Sequence, residues 1–248
     1  MDSLLLLSGN DIPFADAQIT IHNPSLKEIA YVGEENFLTG YQMLCVNKNS
    51  LSEEDKSHLG NISNFDILIA ILRERNAVMQ KNRSCVFMVL ALLFPSYAIS
   101  LTKDSIALKK EGNEEEIRYI NKNNFDVLQS ILKHMFSFGG DEKDEDFNPD
   151  GQLASRIAEK LRKRHQKLAE VKDVGNKVDI YSRYASVLSI GLSISLLEVL
   201  NMTPYQLFDQ LNRYTLKINH DTTLSARLAG AKDLKDPEDW MGDVHSKS

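Results

Sequence analysis

Thr203-Pro204-Tyr205-Gln206-Leu207-Phe208-Asp209-Gln210-Leu211, followed by Arg213-Tyr214, decides the fold class of this chain. Threonine is a favoured N-cap, and proline suits the first helical position, where its missing N–H has no intrahelical partner to lose. Beyond them Tyr205, Phe208 and Leu211 recur at i, i+3 and i+6, with Leu207 beside them. That spacing is the apolar stripe of an amphipathic helix, predicted to run to about Lys217 or beyond. Asp221 to Ala231 predicts a further helical stretch, and Pro237 opens a last short helix carrying Trp240, the one tryptophan of the chain. No residue set here performs chemistry. Aromatics on one helix face, finished by a tryptophan, suit two readings: the core of the C-terminal half, with Trp240 folded back as a clamp, or a docking surface, for which Tyr205, Phe208, Tyr214 and Trp240 are the candidate partner-binding residues.

The pattern upstream is also mainly helical. Gln18-Ile-Thr-Ile-His22 alternates polar and apolar side chains and stops at Asn23-Pro24, which predicts a short strand near 17–22. Ser25, with Glu28 three residues on, is a capping box for a helix, and Glu34 to Val46 forms a second. Ser52-Glu-Glu-Asp55 opens a third, Ser63 introduces a strong helix over Phe65–Arg75, and Asn82–Phe94 follows. After Pro95 the character changes: 97–101, 105–108 and 117–120 are predicted strands, with Gly112-Asn113 as a turn. A helix from Phe125 to Phe138 closes this part.

Gly139 to Pro149 joins a glycine pair, an acidic cluster and a proline, the composition of an exposed linker. A basic helix follows, with Arg156, Lys160, Arg162, Lys163, Arg164, Lys167 and Lys172. Tyr181 to Ile190 reads as helix or strand, and Ser195 to Leu200 as a short helix. The expectation is a mainly α protein with a small β element: an α+β domain at 1–138, an acidic linker at 139–150 and a helical domain at 151–248.

Composition narrows function more by exclusion. A chain of 248 residues with 42% hydrophobic content can fill a real core. A net charge of −6 argues against nucleic-acid binding driven by bulk charge. Cys45 and Cys85 lie in apolar runs and read as small buried hydrophobes of a reducing compartment. Leu4–Leu7 is too short for a signal-peptide core, and Val86–Phe94 is too short to cross a bilayer, so a cytoplasmic soluble protein is expected. The carboxylate runs 114–116 and 141–146 lack the spaced ligands and turn glycine of a calcium loop. There is no nucleophile elbow, phosphate loop or dinucleotide fingerprint, and His220-Asp221 is an isolated pair. No catalytic residue, cofactor or metal ligand is expected.

Taken together, Tyr205-Gln-Leu-Phe208-Asp, Arg213-Tyr214, Ala226-Arg-Leu-Ala-Gly-Ala-Lys232 and Asp239-Trp240-Met-x-Asp243 resemble proteins encoded in tail gene clusters of tailed bacteriophages and prophages of Gram-positive bacteria. Pro24 to Glu35 and Phe94-Pro-Ser-Tyr97 are similar to the same group. The resemblance is to tail assembly chaperones, and it implies a non-enzymatic protein that transiently covers the tape-measure protein in the host cytoplasm. Tail-tube subunits and a second copy of the chain are further candidate partners. Two alternatives stand beside it: a structural protein of the tail tube, neck or baseplate, and a small phage-encoded host-interaction protein.

Overall fold

The computed structural model describes residues 2–47, 62–74, 77–113, 115–136, 180–230, 236 and 241. The third helix expected at 52–55, the acidic linker, the basic helix of 156–172 and the helix of Trp240 lie outside them. The described residues form nine α-helices and two small antiparallel sheets, the mainly α architecture expected.

A short helix α1, Ser3–Leu7, is capped by the Asp2 carboxylate, which accepts from the Leu4 amide at 2.9 Å. Strands β1, Ile12–Phe14, and β2, Ile19–Ile21, pair antiparallel with Ile12 opposite Ile21 and Phe14 opposite Ile19. Side chains alternate across a strand, so these four apolar residues share the core face. Helices α2, Leu26–Val32, and α3, Glu34–Leu44, follow, the first opened by the capping box of Ser25 and Glu28.

Helix α4 spans Asn64–Arg73 and α5 spans Ala77–Leu93. Gly40 lets α3 and α5 close on each other: a β-carbon there would fall 2.4 Å from the Cys85 carbonyl oxygen. Strands β3, Tyr97–Leu101, β4, Ile106–Lys110, and β5, Ile117–Ile120, make a meander in that order. Gly112, at φ +79°, turns β4 toward β5 in a conformation that a β-carbon resists. Helix α6, Phe125–Phe136, lays Phe125, Leu128, Leu132 and Phe136 on the core.

The last three helices are α7, Ile180–Leu192, α8, Leu196–Leu200, and α9, Pro204–Leu228. The helix expected at 221–231 is the continuation of α9. Tyr181, Leu188, Val199, Leu207 and Phe208 enter the same hydrophobic cluster as Leu6, Phe37 and Phe136. Among the described residues, then, no second core lies beyond the expected boundary at 139–150. An aromatic chain marks the junction: Phe37 meets Phe136 edge-on at 5.1 Å and Tyr181 at 6.2 Å, and Phe208 lies 6.1 Å from Tyr181 and 5.7 Å from Tyr184. Polar ties reinforce it. The Tyr181 amide donates to Glu34 Oε1 at 2.6 Å, and Gln206 Nε2 donates to the Leu7 carbonyl at 2.7 Å.

Candidate partner-binding surface

Helix α9 begins in the core and leaves it. Its start is fixed by the Thr203 hydroxyl, which accepts from the Gln206 amide, while Gln206 Oε1 accepts from the Thr203 amide at 2.8 Å. Pro204, Tyr205, Leu207, Phe208 and Asp209 are buried, and from Thr215 to Leu228 no residue of the helix is.

Two of the four expected docking aromatics therefore have another role. Tyr205 is 8% exposed and Phe208 6%, so their rings are spent on the core and present no free surface. The i, i+3 spacing is the signature of burial against any apolar neighbour, and for Phe208 that neighbour is α7 of the same chain. Tyr214 is half-buried and packs on Gly191, where a β-carbon would fall 2.4 Å from the tyrosine Cζ. Trp240 lies outside the described residues.

The exposed apolar residues are others. On α7, Tyr181, Ala185 and Leu188 face inward. At about 100° per residue Val187 and Ile190 then point away from that stripe, and Ile190 is 82% exposed. Leu196 and Leu197 stand out from α8, Leu197 at 71%. On the outer half of α9, Ile218, Leu224 and Leu228 are exposed, Leu228 at 83%. The sequence did hold a signal for Val187 and Ile190, since both are β-branched apolar residues off the buried stripe of their helix. The sequence reading missed them because Tyr181–Ile190 stood as helix or strand, and the two periods assign faces differently.

Charges around these residues are paired along the helix. Arg213 Nε is 3.0 Å from Asp209, and Lys217 Nζ is 2.7 Å from Asp221. Asp221, beside His220, is held below the usual carboxylate range first by the Lys217 hydrogen bond and then by His220. The pair His220-Asp221 thus belongs to a solvent-facing ion-pair row on α9. Both cysteines are free thiols, Cys85 buried and Cys45 half-buried, and burial pushes the Cys45 thiol up to about 11. Among the described residues no group of His, Cys, Asp and Glu is placed to hold a metal ion, and no helix is long and apolar enough to cross a membrane.

A family model for the YomV second domain matches residues 176–245. This is a phage-associated domain family, and the match spans α7, α8 and α9. No curated protein and no solved structure matches the chain.

Proposed function

We propose that the protein is a phage tail assembly chaperone that binds the tape-measure protein through the exposed apolar residues of α7, α8 and α9. It acts in the host cytoplasm while the tail is being built, and its task is non-enzymatic. The observation that carries this reading is the exposure of Ile190, Leu197 and Leu228 within the segment similar to a phage-associated domain. A long helical client exposes apolar stripes until tube subunits enclose it. A chaperone has to cover such stripes by helix-in-groove contacts weak enough to be given up. The resemblance of the sequence motifs, spread over most of the chain, to tail assembly chaperones is the second support for this reading.

Co-expression with the tape-measure protein tests it. The wild-type chain is expected to keep that protein in the supernatant, and the double variant Ile190→Asp, Leu197→Asp to lose this effect. Both side chains are largely solvent-exposed, so the melting temperature of the variant should match wild type within a few degrees. Full retention by the double variant removes these helices as the binding site. Stoichiometric presence in purified virions, read by mass spectrometry, replaces the chaperone by the structural alternative.

A further inference from the structure

Away from α7–α9, a polar cluster lies where the first hairpin meets α2. His22 follows β2, and its amide donates to the Leu93 carbonyl at the end of α5, at 2.9 Å. Its ring is held from both sides: Nδ1 is 2.9 Å from Asp11 Oδ1 and Nε2 is 3.0 Å from Glu28 Oε1. The carboxylates are engaged in turn. Asp11 Oδ1 accepts from the Asn23 amide at 3.3 Å, and Glu28 Oε2 accepts from the Ser25 amide and hydroxyl at 2.8 and 2.7 Å.

Carboxylates only accept hydrogen bonds, so two of them on one imidazole require both ring nitrogens to donate. The imidazolium alone does that; a neutral ring turns a lone pair toward one of the carboxylates. We infer that His22 is a proton-loaded clasp, joining the loop ahead of β1 to the first turn of α2 when charged and releasing one side when neutral. The charged groups that face the ring are Asp11, from the loop between α1 and β1, and Glu28, from α2. Helix α5 contributes the Leu93 carbonyl, which engages the backbone and not the ring.

Burial of the ring works against its charge, but the hydrogen bonds and charges of Asp11 and Glu28 outweigh it and raise the proton affinity above the ordinary value of 6.5. A group raised in the folded state stabilises it in full below the unfolded value. That contribution is lost as pH rises through the folded value. The window of loss therefore opens near the ordinary value of 6.5 and closes above it, at the folded value. The same turn of α2 also touches the C-terminal helices. The Leu26 amide, in the same turn of α2, donates to the Met202 carbonyl at 2.9 Å, just ahead of α9.

The test is a titration of the histidine ring resonances of the full chain by NMR, with His22 assigned among the six histidines by His22→Gln, and thermal melts from pH 6 to 9 beside it. The expected result is a His22 midpoint above 6.5 and a wild-type melting temperature that falls with pH more steeply than that of the variant. A midpoint at or below 6.5, or identical pH profiles of the two proteins, overturns the clasp. Should His22→Gln not fold, Asp11→Asn keeps the ring and Glu28. It should move the midpoint downward, and an unmoved midpoint overturns the clasp equally.

Discussion

Phe208 shows how a residue's role follows from its neighbours and not from its type. Its ring lies 5.7 Å from Tyr184, nearly perpendicular, and 6.1 Å from Tyr181, and only 6% of it meets solvent. Removing it leaves a cavity that rigid helices on either side cannot fill. Phe208→Ala is therefore expected to cost about 3–5 kcal/mol of folding stability, measured by chemical denaturation. A loss of less than about 1 kcal/mol would restore Phe208 to the surface role that its aromatic character alone suggested. Aromaticity and spacing were legible in the chain at this position. Both a core and a docking role fit that pattern, and what decides for the core is the company of Tyr181 and Tyr184, which come together with Phe208 only when α7 packs on α9.

At the scale of the element, four helices begin with the same device. Ser25 with Glu28, Ser63 with Asp66, Ser195 with Glu198 and Thr203 with Gln206 each close a capping box at the starts of α2, α4, α8 and α9. Three of the partners ionise and one does not. The Ser63 hydroxyl and amide hold Asp66 below its usual range, and the Ser195 amide and hydroxyl do the same for Glu198. Burial pushes Glu28 up, and the Ser25 and His22 hydrogen bonds and the His22 charge bring it below normal. A lowered carboxylate stabilises the fold above its unfolded value and loses that contribution as pH falls through the folded one. As pH falls below about 5, the protection factors of amides in the first turns of α4 and α8, with the intrinsic pH dependence divided out, should fall while those of α9 stay level. An equal fall in all of them would show that the caps do not control fraying. These starts were readable in advance because a cap is local: serine or threonine and an acid or amide three residues on suffice. Strand β1 was not, since Ile12-Pro13-Phe14 carries a proline and is a strand only by virtue of its pairing with β2.

At the scale of the whole molecule, the described residues on either side of 139–150 share one hydrophobic cluster. Leu207 and Phe208 share a cluster with Leu6 and Phe37, and Gln206 reaches the Leu7 carbonyl across most of the chain. A fragment of residues 1–202 exposes that cluster, so it should lose the cooperative thermal transition of the full chain. A sharp, native-like melt of the fragment would show that the N-terminal part is self-sufficient. The break in composition at 139–150 was easy to read, but a boundary in composition says nothing about which residues meet in space. The design of α9 has one more consequence. Helix formation is limited by its first turn, and here the core supplies that turn. The outer stretch of 215–228, roughly 20 Å long, is therefore a rod already ordered before anything touches it. A client that lies along it gives up little of this protein's freedom, so association shows a small ordering entropy and its lifetime is set by how many apolar groups are shed on departure. A grip of that kind is quick to form and can be peeled away by a competitor without unfolding the hand that made it.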